Sequence, residues 1–446
     1  MSIPVVTVGD SRDDLVGGLE RLHGPVSVVR RCSELAELLA ACQSGLARAA
    51  VVAAGSEELT ASLVDRLSAV GVVVIALTDN PGETARLRTI GVAAEARGVD
   101  AAALAARIAA AVAQLSGTGG GPGSAAPDGD TSGISAGTSS GPDEAARPSG
   151  EHVAGAPGTA GTGRIIAVWG PGGAPGRTLV AANIAGELAA EGRSVLLVDA
   201  DSYGASVAAL LGLLDEAAGL AQACRLADQG LLDAEALLRV ATTVASKAGT
   251  FRVLTGITRA DRWTELRAAA LTLVLERARE IADVTVVDTG FCLEADEELG
   301  FDTGAPRRNA ATLRSLEMAD TVFAVGAADS IGVPRLVRGL AELQAAVPQA
   351  SPQVVMNKVR AAAVGRSPER QLREAWARYG PSVPLSAFLP SDPAASDAAL
   401  LTGTLLLESA PESELRRAIA KMVCAPAQRN KKSFGFSSTA QRRAKS

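Results

Sequence analysis

Two rhythms of apolar residues alternate along this chain. Short continuous runs of Val, Ile and Ala are bounded by glycine or polar turns, and between them apolar residues recur every three or four positions. The runs have the length and β-branched content of buried strands, and the stretches between them have the period of helices packed on one face. From the N-terminus the order is Pro4-Val-Val-Thr-Val8, DDLVGGLERL, Val26-Ser-Val-Val29, SELAELLAAC, Ala49-Ala-Val-Val-Ala53, EELTASLVDRL, Val72-Val-Val-Ile-Ala-Leu-Thr78, ETARLRTIGV and AAALAARIAAAVAQL. Five β/α units with continuous apolar strands predict a small doubly wound parallel sheet over 1–116.

The pattern stops at 117–163, a Gly/Ser/Ala/Pro-rich stretch with no aromatic residue and almost no large aliphatic one. Such a segment buries too little apolar surface to offset its ordering entropy, so a flexible linker is expected. The rhythm resumes over 164–424, with strands expected at 164–168, 194–198, 251–254, 284–287, 321–325 and 353–356. These predict a second, larger parallel α/β sheet. The tail 425–446 has six basic residues and no acid, and is expected to be disordered.

Composition narrows the chemistry. A chain of 446 residues can hold two cores, and 47% hydrophobic with 21% charged residues suits a globular protein. A net charge of −6 gives no global reason to expect specific nucleic-acid binding, and 3% aromatics argues against a base-stacking surface. The five cysteines are scattered and never spaced C-x-x-C, which points to reduced thiols without a zinc site. With no signal-peptide pattern and no apolar run of 18 residues, a cytoplasmic protein is expected. The first lysine is Lys247, so any earlier segment must draw its cations from arginine.

The candidate chemistry lies between the first two strands of the second region. Pro171-Gly-Gly-Ala-Pro-Gly-Arg-Thr178 occupies the eight places of the phosphate-loop pattern G-x-x-x-x-G-K-[ST]. Glycines let backbone N–H groups face phosphate oxygens, the following helix N-terminus favours the anion, and the hydroxyl coordinates Mg²⁺. Gly176 and Thr178 match, Arg177 stands for the lysine, and Pro171 for the first glycine. Ser194-Val-Leu-Leu-Val-Asp-Ala-Asp201 then ends in two carboxylates that alternation sends to one side, and Val284-Thr-Val-Val-Asp-Thr-Gly290 places Asp288 as a Walker-B-type acid. A lone aspartate here is often a helix cap; the set, together with the loop, points to a nucleotide site.

The order of loop, VLLVDAD, VVDTG and Val355-Met-Asn-Lys358 resembles the MinD/ParA-type (deviant Walker) ATPases across most of 164–420. The resemblance implies ATP or ADP with Mg, held by Gly172, Gly173, Gly176, Arg177, Thr178 and the adenine-reading Asn357. It implies Thr178, Asp199 and Asp288 as the metal shell and Asp201 as a catalytic group. Leu389-Pro-Ser-Asp392 resembles that family's loop on the far side of the base. The family's signature lysine early in the loop falls at Gly172 and its second lysine at Arg177. Losing a charge-stabilising lysine costs on the order of 10²–10³ in rate, so binding with slow or absent hydrolysis is expected. Arginine can fork to a phosphate but does not imitate a compact ammonium.

The first region looks like a response-regulator receiver fold. Where that family carries a phosphate-accepting aspartate this chain has Ala53-Ala-Gly-Ser56, its switch lysine is missing, and Asp10 fits its acidic pair in part. A pseudo-receiver serving as an interaction module is expected. A pseudo-receiver, a linker and a MinD-like domain together resemble the CpaE/TadZ branch, associated with Flp (tight-adherence) pilus assembly. The G-A-P-G-R-T loop and Asp302-Thr-Gly-Ala-Pro-Arg-Arg-Asn309 resemble actinobacterial septum-site-determining members. The expected function is a nucleotide-binding spatial regulator of cell division or pilus assembly, with protein partners in that machinery and a nucleotide-dependent homodimer. A nucleotide-independent scaffold and an ATP-coupled enzyme of the same fold remain alternatives. The tail reads either as solvated or as a weak contact to anionic lipid; the latter would place the protein peripherally at the membrane, pole or septum.

Overall fold

The computed structural model describes residues 2–9, 15–22, 24–118, 163–213, 217–247, 249–295 and 306–424. The expectations for the linker, the basic tail, Asp10 and the 302–305 part of the septum-type run lie outside these residues.

The first sheet comprises β1 (Ile3–Val8), β2 (Val26–Cys32), β3 (Ala49–Val52), β4 (Val73–Leu77) and β5 (Ala93–Glu95). Its order is β2-β1-β3-β4-β5 and every neighbouring pair is parallel, a doubly wound arrangement. Period-two alternation builds a core on each face. Val6, Val8, Leu38, Leu59 and Leu67 pack on one side, and Val5, Leu19, Ile75, Leu104 and Ile108 on the other. The helix Ala101–Thr118 runs two residues past the expected end of this region. At the tips of β1 and β3 the backbones close on each other. Gly9 has φ +81°, and a Cβ there would stand 2.5 Å from Ala54 Cβ.

The second sheet comprises β6 (Arg164–Trp169), β7 (Val195–Ala200), β8 (Thr242–Ser246), β9 (Gly249–Leu254), β10 (Val284–Thr289), β11 (Thr321–Ala327), β12 (Pro352–Val359) and β13 (Leu385–Pro390), in the order β13-β12-β11-β6-β10-β7-β9-β8. All six expected strands are present. Two more complete the sheet, and one corrects the expectation of a purely parallel arrangement: β8 pairs antiparallel with β9 at the edge. Its sequence Thr-Thr-Val-Ala-Ser alternates between half-buried and exposed positions, so it lacks the apolar run that marks the central strands. β13, LSAFLP, is only partly buried and ends in proline, an edge-strand composition.

The helix Arg177–Ala190 is packed into the sheet with every residue from Val180 to Ala189 buried. It is tied to the C-terminal part of the chain by polar groups. Asn183 Oδ1 accepts from Leu406 N at 2.8 Å, and the buried Glu187 accepts from Arg416 Nε at 2.5 Å and Nη2 at 2.7 Å.

The two sheets belong to units that touch. The helix Ala61–Ala69 packs against the helix Ala268–Ile281, whose Ala269 and Leu273 join a core of the first sheet. Asp228 Oδ1 accepts from Ser62 N at 2.8 Å, and Arg86 Nη1 donates to Gln229 O at 3.0 Å.

Removing Arg416, itself half-buried, strands the charge of the buried Glu187. Arg416→Ala is expected to destabilise the chain by about 3 kcal/mol, with Glu187→Gln milder, read from urea unfolding midpoints. An unchanged midpoint for Arg416→Ala would show that the pair holds nothing together.

Candidate functional site

The glycine-rich loop runs from the end of β6 at Trp169 to the helix beginning at Arg177. Two glycines meet steric demands no other residue satisfies. Gly176, the residue capping the helix, has φ +95°, and a Cβ on it would lie 2.5 Å from Asn357 Nδ2. Gly173 has φ +111°, and its Cβ would lie 2.3 Å from Arg335 Nη1. Ala174 also adopts a positive φ, +52°. No side chain caps the helix start at Gly176, so the first N–H groups and the positive end of a 14-residue helix remain for an anion.

Behind the loop the strand tips assemble the acids. In the β10–β7 register Asp288 lies directly beside Asp199, and both are 1% exposed. Asp199 Oδ2 accepts from Val207 N at 2.9 Å and Oδ1 from Asp201 N at 3.3 Å. Asp201 Oδ1 accepts from Tyr203 N at 2.8 Å and Gly204 N at 3.1 Å. Asp288 is different: both of its carboxylate oxygens are buried without a hydrogen-bond partner. Burial pushes the Asp288 pKa well above the usual range, the Asp199 charge adds to this, and Thr178 and Arg177 oppose it. Burial also raises Asp199, to about 6, against the backbone donors that favour its ionised form.

Arg177 and Thr178 face these acids. Arg177 Nη1 donates to Gly170 O at 2.8 Å and Nη2 to Asp201 Oδ2 at 3.2 Å, and its Nε has no partner. The side chain is therefore anchored between the loop and the tip of β7. The Thr178 hydroxyl shares a hydrogen bond with Ser206 Oγ at 3.2 Å. Asn357 donates from Nδ2 to Pro175 O at 2.7 Å and accepts from Lys358 N. In this structure it braces the loop.

Four residues to which the sequence motifs assign no role complete the site. Lys358 Nζ donates to Ala174 O at 2.9 Å, so a lysine does reach the loop, from the end of β12. Its φ of +58° marks an unusual backbone, but no sequence pattern announced the contact. Arg335, one turn into the helix Gly332–Ala346, lies against Gly173 and lines an open cleft of about 510 Å³ with Pro171, Gly172, Phe291 and Arg338. Ser206 partners Thr178. Tyr203 stacks near Phe291, with centroids 4.9 Å apart, and donates its hydroxyl to Asn309 Oδ1.

The donor set fits the metal that the resemblance implies. Mg²⁺ keeps several waters and takes one or two protein oxygens beside substrate phosphates, and unpartnered Asp288 with Thr178 supplies that pair. Among the described residues no group of three or more His, Cys, Asp or Glu is arranged to hold a metal unaided.

Comparison with known proteins agrees with the position of the loop. Residues 161–229 match the ParA family model, described as NUBPL iron-transfer P-loop NTPase. No curated protein matches the chain. Similar solved structures include a ParA family ATPase from Chlorobium tepidum, 19% identical with a TM-score of 0.49, covering 58% of this chain and 98% of that one. The cell division ATPase MinD of Pyrococcus furiosus is 21% identical with a TM-score of 0.45, covering 58% and 97%. The septum site-determining protein MinD of Pyrococcus horikoshii, complexed with Mg-ADP, is 19% identical with a TM-score of 0.45, covering 58% and 94%.

A raised carboxylate pKa means that the folded state favours the proton. The corresponding stability is full below the ordinary value of 3.8 and is lost as pH rises through the raised value. Above that raised value an ionised Asp288 therefore burdens the fold. Asp288→Asn is expected to stabilise the fold there by about 1–3 kcal/mol, several degrees in Tm. A lower Tm for the variant by calorimetry would contradict this electrostatic account.

Proposed function

We propose that residues 164–424 form a ParA/MinD-type P-loop domain that binds Mg-ATP or Mg-ADP and acts as a spatial regulator of cell division or of pilus assembly. The observation that carries the nucleotide reading is the uncapped helix N-terminus and its positive-φ loop, set against a buried, unpartnered Asp288 and the Thr178 hydroxyl. The family-model match over 161–229 supports it. In this reading the loop amides and Arg177 hold phosphates. Thr178 and Asp288 hold the metal, which neutralises phosphate charge, and Asp199 anchors the β7 turn. Asp201 either positions water or holds Arg177. The lysine positions of the resembled family are filled by Gly172 and Arg177, so hydrolysis is slow or absent and the output is binding itself. The regulatory role, with division or pilus partners and a nucleotide-dependent homodimer, rests on the sequence resemblance.

One observation favours the alternative of a nucleotide-independent scaffold. Arg177 is already paired with Asp201 and the Gly170 carbonyl, and Asn357 with Pro175, so the site is internally satisfied at two of its recognition groups.

The first unit is proposed as a pseudo-receiver that docks instead of being phosphorylated. The tip of β3 is Ala53-Ala-Gly-Ser56, with no carboxylate to accept a phosphoryl group, and just after β4 Thr78 Oγ1 accepts from Asn80 N at 3.2 Å. Exposing the full chain to a small phosphodonor is expected to leave its mass unchanged; an aspartyl phosphate in the first unit would overturn this.

Titration calorimetry of the full chain with Mg-ATP separates the nucleotide readings. Binding is expected, weakened by Thr178→Ala and reduced by about 1–3 kcal/mol in Arg177→Ala, the usual cost of a charged hydrogen bond. No heat with millimolar nucleotide would leave the scaffold reading standing.

A further inference from the structure

Where the two units meet there is a cavity of about 360 Å³, the size of a small-metabolite site. Ser62 and Arg66 of the helix Ala61–Ala69 form one wall. Trp263 and Arg267 form the other, with Arg307 and, from the helix Ala310–Met318, Arg314.

The seam leaves three polar atoms unsatisfied. Ser62 Oγ, Arg66 Nε and Arg314 Nε are all buried without a hydrogen-bond partner, and Ser62 as a whole is 8% exposed. Buried polar atoms are paired as a rule, and three orphans around one cavity point to a shared missing acceptor. The charge agrees. The four guanidiniums meet Asp65 and Glu317 on the lining, the latter 2.8 Å from Arg314 Nη1, and Asp228 stands 3.8 Å from Arg267. Positive charge remains in excess, and Arg66 and Arg307 make no ion pair among the described residues. Guanidiniums suit planar or tetrahedral oxyanions, and the alanines, Leu313 and the Trp263 ring offer an apolar side for the rest of a ligand.

We propose that this interdomain cavity binds a small organic anion, through a phosphate or carboxylate group clamped between Arg66 of the first unit and Arg307 and Arg314 of the second. Because the clamp draws on both units, the ligand holds them docked. The site is separate from the glycine-rich loop and does not depend on nucleotide binding there.

The test titrates the full chain with glycerol phosphate and, separately, with succinate, so that the phosphate and carboxylate sources are told apart. Binding of at least one probe is expected, weakened at least about tenfold by Arg66→Ala and by Arg307→Ala, the factor for one charge-assisted hydrogen bond. Thr178→Ala should bind the probe as wild type, which separates this site from the loop. Trp263 emission should change on binding, and Trp263→Phe should lose that signal while calorimetry still detects the probe. Arg307 is exposed, so its variant serves if Arg66→Ala fails to fold. Absence of heat with both probes at millimolar concentration, or wild-type affinity in folded Arg307→Ala, would show a water-filled seam and overturn the proposal.

Discussion

An excess of buried negative charge at the tips of β7 and β10 is the constraint around which the second unit is organised. Parallel pairing places Asp288 beside Asp199, and the turn after β7 brings Asp201 close enough to pair with Arg177. Burial makes each ionised carboxylate costly, and backbone donors compensate Asp199 and Asp201 but not Asp288. Such a corner lowers the stability of the fold, as functional sites commonly do. The helix N-terminus and the loop amides add positive potential on the side where a phosphate would arrive.

The loop is held in shape by groups from distant strands. Asn357 and Lys358, at the end of β12, bind the carbonyls of Pro175 and Ala174. Arg177 binds the Gly170 carbonyl from within the helix. Of the three pinned carbonyls only that of Pro175 shares its peptide with an N–H, that of Gly176, which is turned the opposite way; the other two precede prolines and only fix the path of the loop. Arg335 and Lys358 also return positive charge to a loop whose own lysine positions hold glycine and arginine. That supply comes from tertiary structure, and it explains why a motif read along the chain records a deficit.

Much of this was legible in the residues. The central strands announced themselves because burial on both faces gives continuous apolar runs, and Asp199, Asp201 and Asp288 were placed by simple alternation at strand ends. The edge strands β8 and β13 were hidden because a half-exposed strand needs no such run, and the polar Thr-Thr-Val-Ala-Ser stretch carries only a weak period of two. The internal roles of Arg177 and Asn357 were not legible. A motif gives a residue's place on the chain, whereas its partner is set by which strand end faces it. The contact between the two units was equally silent, since Ser62, Arg86 and Asp228 are ordinary surface residues until the helices meet.

The claim that the buried acids are completed by a metal–nucleotide ligand is tested most directly by counting protons. Burial raises the pKa of Asp288, and of its neighbour Asp199 to about 6, so a metal that needs these acids ionised is expected to release protons on binding. Calorimetry of Mg-ADP binding at pH close to 6, repeated in buffers of different ionisation enthalpy, gives the number released. Net proton release that is smaller in Asp288→Asn is the predicted result. Binding with no proton release, or release unchanged in that variant, would contradict the account.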